Sequence, residues 1–395
     1  MHGLQHDGPV RAKPEKFLWE FARLLRNDPL DAAKELTGAH VKSDDDWRAL
    51  TPLAGRHRLL GYLVYLAKDI PSLPPLARDQ APRIYDGIRV RYSIQCAQVA
   101  EIVSSLADIP FRILKGLVIA HGAHRLAHLR PCGDIDLLVP SRFLIQTLQR
   151  LMTARFSFVL PHAFPWPPPQ WLLHAPFPIE IDELALFRGA AVVELHTHIV
   201  SYKLPHKISE EELYASGDFV RLEEPKLDMP ALLPDFVWLH LAMNYHMHRF
   251  SGGLGILLDL AKWEDLHPLN IDQIRRNIDR WSVRYLLDPV LRHLKAIFTD
   301  LPSVRLLGET LTPATEIFAL SEKAWDSRVT PMYWIRQSPS PLRTLWRNIF
   351  LSRHAAAIRY GRSPDDPSLW FRRALRPFRL MAAHGQTVSR ELRVS

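Results

Sequence analysis

The chain has 395 residues, 47% of them apolar and 23% charged, which excludes a disordered or low-complexity protein and leaves room for a large core. The net charge is +8, yet residues 331–395 hold twelve arginines, no lysine and three acidic residues, so the rest of the chain is near neutral. That distribution excludes a uniformly basic nucleic-acid binder and confines any anionic partner to the tail.

Residues 1–15 are polar, with Gly and Pro, and lack the apolar stretch of a secretory signal. From Phe17 to about Ser105 apolar residues recur at three and four, which predicts helices. Asp44 to Asp46 stand before Trp47 as N-cap candidates, and Pro71, Pro74 and Pro75 break the helix near residue 70. This N-terminal helical region, 1–108, carries no clustered chemistry.

Residues 109–204 read as an α/β core. Phe111 to Leu114 predicts a short strand, Gly116 a turn, and Leu117 to Leu129 a helix. Asp134 to Val139 predicts the second strand, and Ser141 caps a helix over Phe143 to Ala154. Phe156 to Leu160 predicts a further strand. Pro161 to Pro178 is a stiff loop with seven prolines among 18 residues, the kind of segment that borders a binding site or forms a surface insertion. Ile179 to Phe187 and Ala190 to Ile199 read as a hairpin.

Residues 205–330 read as a second helical domain, with three glycines, Gly252, Gly253 and Gly255, between two of its helices. Residues 331–395 form an Arg-rich tail with one helix from Leu342 to Tyr360. Leu342, Leu345, Trp346, Ile349 and Phe350 line one side of that helix, which predicts docking on the body. Arg353 falls in this stripe and spoils a clean membrane face; the arginines otherwise suit an anionic lipid, RNA or a polyanionic substrate. The fold class expected is α+β: a small mixed sheet flanked by helical regions.

The chemistry concentrates between Phe111 and Val139. In a strand, Asp134 and Asp136 project from one face, with Ile135, Leu137 and Val139 on the other. Two carboxylates so close repel unless a cation sits between them. A hard divalent ion meets that need, and Mg²⁺ completes its shell with substrate phosphates. On the later strand, Glu194, His196 and His198 share a face; Glu180 and Asp182 alternate likewise and compete with Glu194 as a third carboxylate. Lys115 and Arg130 flank the acidic pair, and each either holds phosphate or pairs with a carboxylate. Gly116 permits close backbone approach to phosphates.

The segments LKG, LRPCGDIDLLV and VELH together resemble the nucleotidyltransferase superfamily that includes DNA polymerase beta. Within it they are most similar to the family of uncharacterised nucleotidyltransferases, often encoded near peptide and polysaccharide biosynthesis genes. The resemblance runs from about Trp47 to Pro302. It implies Mg²⁺- or Mn²⁺-dependent transfer of a nucleoside monophosphate from a nucleoside triphosphate to a small-molecule, peptide or saccharide acceptor. It implies that Asp134, Asp136 and Glu194 are catalytic and ligate metal, and that Lys115, Gly116, Arg130 and Gly133 bind the nucleotide. One departure is Leu117, which stands where much of the superfamily has a serine hydroxyl after the glycine; backbone N–H groups at a helix start are the alternative phosphate contact.

The alternatives are a nucleotide-binding scaffold without turnover and a nucleic-acid binder acting through the tail. His240, His246 and His248 suggest zinc, but one helix cannot aim all three at one ion. His240, Asn244 and His248 do share a stripe, which faces either the cleft or a polar helix interface, and Asp259 is open to the same two readings. No run of about 18 apolar residues predicts a membrane span. Two cysteines, Cys96 and Cys132, point to reduced thiols in a cytoplasmic protein.

Overall fold

The computed structural model describes residues 14–27, 30–159, 183–189, 191–201, 203–250, 252–306, 338–350 and 365–378, with isolated positions at 353, 356, 357 and 362. The loop 161–178 and the competing carboxylates Glu180 and Asp182 lie outside the described residues.

Five helices open the chain: α1 (Pro14–Arg26), α2 (Leu30–His40), α3 (Asp44–Arg56), α4 (Leu60–Ala67) and α5 (Pro75–Ser105). The cap of α3 is Ser43 and not one of the three aspartates after it. Ser43 Oγ accepts from the Asp46 backbone N–H, and Asp46 Oδ2 accepts from the Ser43 N–H, so two orphan donors are satisfied reciprocally. Pro75 begins α5, where its missing N–H costs nothing.

The sheet follows. β1 (Arg112–Ile113), β2 (Ile135–Leu138), β3 (Ser157–Val159), β4 (Leu184–Arg188) and β5 (Ala191–His196) form five strands in the order β1-β2-β5-β4-β3. Only β2 and β5 pair in parallel; the other neighbours are antiparallel. This is the α+β class the sequence predicts. The helix expected over Leu117 to Leu129 is shorter: α6 covers Lys115–Ala123, and a separate 3₁₀ turn covers Ala127–Leu129. Ser141 does not cap α7 (Leu144–Thr153) through its side chain; it opens a 3₁₀ turn, and its N–H donates to Glu210 Oε2 at 2.8 Å.

The 205–330 segment is not helical throughout. After the short helix α8 (Glu210–Tyr214) comes a two-stranded ribbon, β6 (Asp218–Leu222) with β7 (Leu227–Ala231), which packs on β1 and α6. Then follow α9 (Pro234–Met247), α10 (Gly253–Leu266), α11 (Ile271–Trp281) and α12 (Arg284–Ile297). Helix α10 is buried on nearly every side, as its lack of a polar face requires, and packs against α1, α6 and α9. One hydrophobic cluster runs without a break from Phe17 to Leu306.

In the tail, α13 (Pro341–Ile349) stops eleven residues short of the expected Tyr360, because Phe350 turns extended at φ −104° and ψ 98°, and positions 353, 356 and 357 beyond the break are again helical. Residues 368–378 form α14. Among the described residues no helix is long and apolar enough to cross a membrane.

Replacing Ser43 with alanine removes the side-chain half of the α3 cap, the Oγ that accepts from the Asp46 N–H, and leaves the backbone half. The expected loss is about 1 kcal/mol of unfolding free energy, read as a lower urea midpoint with unchanged slope.

Candidate active site

The site is built where β1, the start of α6, β2 and β5 meet. Parallel pairing places Asp136 directly beside Glu194 and Leu138 beside His196. Paired residues share a face, so Asp136 and Glu194 project together, and His196 follows two residues on. Ligand atoms of Asp136, Glu194 and His196 lie within 4.8 Å of one another. Asp134 is not in this group. It precedes the first paired residue of β2, so no cross-strand partner holds it, although its charge reaches Glu194, Lys115 and Arg58.

The two oxygens of Asp136 are used differently. Oδ1 receives Lys115 Nζ at 2.9 Å and His196 Nε2 at 3.0 Å. Oδ2 is buried and has no hydrogen-bond partner among the described residues. A buried carboxylate oxygen left bare is costly unless something occupies it. Two carboxylates and an imidazole, with one carboxylate oxygen open, make a donor set that could hold a divalent cation.

Charge balance here is tight. Burial works to raise the Asp136 carboxyl, but Lys115 and His196 outweigh it and hold the group well below the usual carboxylate range. Burial would lower Lys115, yet Asp136, Asp134 and Glu194 keep its ammonium raised. His196 is raised likewise: its bond to Asp136 overcomes burial. Glu194 is pushed up to about 7 by burial and by the negative charge of Glu183, Asp134 and Asp136. Burial, then Asp136, also raises Asp134.

Gly116 sits at φ +40°, a conformation that favours glycine, between β1 and α6. Its carbonyl accepts from Arg130 Nη1 at 3.1 Å. The rest of the Arg130 guanidinium donates to Asp259 Oδ2 through Nε at 3.1 Å and Nη2 at 2.9 Å. Arg130 is therefore a buried strut between α10 and the Gly116 turn, and pairs with neither Asp134 nor Asp136. The structure brings no part of it to the cleft as a phosphate ligand. Gly133 is exposed, and a side chain there would meet nothing within 4 Å.

Asp259 Oδ1 receives His124 Nε2 at 2.7 Å, and His124 Nδ1 faces the Tyr62 hydroxyl at 2.6 Å. Burial lowers the His124 pKa, so the ring is neutral. A carboxylate can only accept, so Nε2–H donates to Asp259 and the Tyr62 O–H donates to Nδ1. Burial opposes the ionised form of Asp259, but Arg130 and His124 hold its pKa below the ordinary value.

The N-terminal helices, which show no clustered chemistry in the sequence, supply a cation. Arg58 follows α3, and its turn lies against the start of α10. There a Cβ on Gly253 or Gly255 would fall 2.1 Å from the His57 ring or 2.5 Å from the His57 carbonyl. The Arg58 guanidinium makes no hydrogen bond or ion pair among the described residues. Burial and Arg130 lower its pKa, while Asp259 and Asp134 act in the other direction. Arg58 and His248 are solvent-exposed, and burial among neighbouring groups still lowers the pKa of both.

The histidine stripe on α9 faces the site. His240 and His248 both feel Lys115, Asp136 and His196. His240 Nδ1–H donates to the Ile199 carbonyl at 3.1 Å, and its buried Nε2 has no hydrogen-bond partner among the described residues. His246 points elsewhere: Nδ1–H donates to the Leu286 carbonyl at 2.9 Å, and the ring stacks on Phe250. Behind the 130–132 segment lies a cavity of about 300 Å³, walled by Ile84, Ile88, Arg91, Tyr92 and His128. Cys96 and Cys132 are free and buried.

The sequence profile of the uncharacterised nucleotidyltransferase family matches residues 43–299. The chain belongs to that family. Comparison with curated proteins and with solved structures gives no match. The nucleotidyltransferase match begins at the cap of α3 and ends just past α12, so it includes Arg58 and Tyr62 and leaves out the Arg-rich tail.

In this nucleotidyltransferase the buried Asp259 network is expected to be structural. Asp259→Ala leaves the Arg130 charge buried without its partner and should cost about 3–5 kcal/mol of unfolding free energy, measured by urea denaturation.

Proposed function

We propose that the chain catalyses divalent-cation-dependent transfer of a nucleoside monophosphate from a nucleoside triphosphate to an acceptor hydroxyl or phosphate. Membership of a nucleotidyltransferase family supports the reaction class. The observation that carries the reading is the bare, buried Oδ2 of Asp136 beside Glu194 and His196.

In the reaction an acceptor oxygen attacks the α-phosphorus, the bond to the bridging oxygen of the β-phosphate breaks, and pyrophosphate leaves with that electron pair. Asp136 and Glu194, with Asp134 at their edge, would hold Mg²⁺ or Mn²⁺, which when bound supplies charge for the phosphates and leaving group. The hard-oxygen preference of Mg²⁺ leaves His196 a different task, fixing the Asp136 carboxylate through Oδ1. Lys115 shares that task from the other strand edge. Glu194, shifted close to neutrality, is placed to take the acceptor proton when it is not engaged by the cation.

Arg58 takes the phosphate role first read for Arg130. Its exposed guanidinium has no hydrogen-bond or ion-pair partner among the described residues, whereas that of Arg130 is committed to Asp259 and Gly116. Phosphates also meet the backbone at Gly116, where α6 begins. The acceptor class stays open among small molecules, peptides and saccharides. Two free cysteines are consistent with a cytoplasmic setting.

The deciding experiment titrates ATP, GTP, CTP and UTP by calorimetry, with and without Mg²⁺, into wild type and Asp134→Ala/Asp136→Ala. Metal-dependent binding that the double variant loses is the expected result. No binding of any nucleotide by folded wild type would defeat the proposal, and binding without pyrophosphate release across acceptor screens would mark a scaffold without turnover. Glu194→Gln is expected to lower turnover by about 10²–10⁴-fold. Arg58→Ala should change stability by no more than about 0.5 kcal/mol while weakening nucleotide affinity in the same titration.

A further inference from the structure

Two helices of the tail turn their largest apolar side chains to solvent while burying polar ones. In α13 the inward face carries Thr344, fully buried and bonded through Oγ1 to Ser338 Oγ at 2.7 Å, and the half-buried Arg347. Arg347 and Arg343 stand close enough to His206 of the body to add to burial and His198 in pushing its imidazole down to about 4. The outward face carries Leu342, Trp346 and Phe350, at i, i+4 and i+8. Helix α14 repeats the arrangement: Leu369 and Arg376 are buried, while Trp370, Phe371 and Phe378 point out.

The exposures decide the matter. Leu342, Trp346, Trp370, Phe371 and Phe378 are between 63% and 82% exposed. A helix that docks on its own protein turns its apolar stripe inward. Of the five residues expected to dock on the body, Leu342, Trp346 and Phe350 are exposed, while Leu345 and Ile349 are half-buried. The sequence objection to a membrane face also falls away. The helix ends before Arg353, and Arg353 Nη2 is paired with Asp365 at 2.6 Å.

The chemistry of the two faces selects the partner. Trp and Phe beside Leu, flanked by arginines, are the composition of a helix that lies in a membrane interface. Residues 331–395 carry a net charge of +9 against +8 for the whole chain, which complements acidic headgroups. Single-stranded RNA calls for aromatic rings set among cations on one platform. In α13 the exposed Arg343 shares the outward side with Trp346 and Phe350, and in α14 Arg373 lies over the Trp370 ring at 4.9 Å, so retention on RNA is kept as an outcome of the test below. With no helix long enough to span among the described residues, contact is along the surface.

We propose that the tail binds the surface of an anionic lipid bilayer, with Leu342, Trp346 and Phe350 of one helix and Trp370, Phe371 and Phe378 of the other entering the headgroup layer. The test is co-sedimentation of the full chain with vesicles of phosphatidylcholine alone and of phosphatidylcholine with phosphatidylglycerol. Binding to the anionic vesicles is expected, with about tenfold less on the neutral ones. Trp346→Ala/Trp370→Ala should lower binding by about tenfold or more without moving the thermal midpoint. Any of four results would overturn the proposal. One is no binding to anionic vesicles by folded protein, and another is equal binding by the double variant. The others are retention on RNA without vesicle binding, and a dimer that the double variant abolishes while vesicle binding stays absent.

Discussion

The structure depends on a buried aspartate in α10. Asp259 accepts from Arg130 with one oxygen and from His124 with the other. Through His124 it reaches Tyr62 in the N-terminal helices, and through Arg130 it reaches the Gly116 carbonyl at the turn where α6 begins. Three stretches far apart in sequence are thereby held in one geometry. A buried ion pair is a weak source of net stability, because desolvation offsets most of its attraction. Its stronger effect is on placement. Each donor has one acceptor it can satisfy in a dry interior, so the turn that faces the site has one position.

The site itself shows how strand geometry sorts two kinds of contact on a single carboxylate. Lys115 arrives from the β1–α6 turn and His196 from β5, and both bind Oδ1 of Asp136. The charge of Asp136 is thus stabilised without covering Oδ2. Glu194 stands beside it with a raised pKa, because burial and the negative charge of Glu183, Asp134 and Asp136 disfavour its ionised form. Two neighbouring carboxylates with pKa values driven in opposite directions are suited to different tasks.

Much of this was legible in the sequence. The alternation of Asp136 with its apolar neighbours gave the strand, but Asp134 falls just before its first paired residue and outside the Asp136, Glu194 and His196 group. The period of two in VVELH put Glu194 and His196 on one face, and helical angles separated His246 from His240 and His248. For Arg130 the sequence shows a cation near two acids but not which acid it meets; the ion pair it makes is with Asp259, 129 positions away. Arg58 was invisible for the same reason. It gains meaning only from the close approach that Gly253 and Gly255 allow to His57. The β6–β7 ribbon was missed because its strands are short and mostly solvated. The tail stripe was read correctly as a pattern, but a pattern does not say whether its apolar side turns inward.

The register of β2 against β5 has a consequence for how activity is acquired. Asp136 and His196 are 60 positions apart and meet only because Asp136 pairs with Glu194. A slip of one residue would turn Glu194 and His196 to the opposite side of the sheet together, while most backbone hydrogen bonds could still form. Chemistry in this fold is therefore all-or-none with respect to strand alignment. A chain that has collapsed and zipped its sheet out of phase would be silent, and the intervening segment is free to change length across relatives as long as it returns β5 in phase.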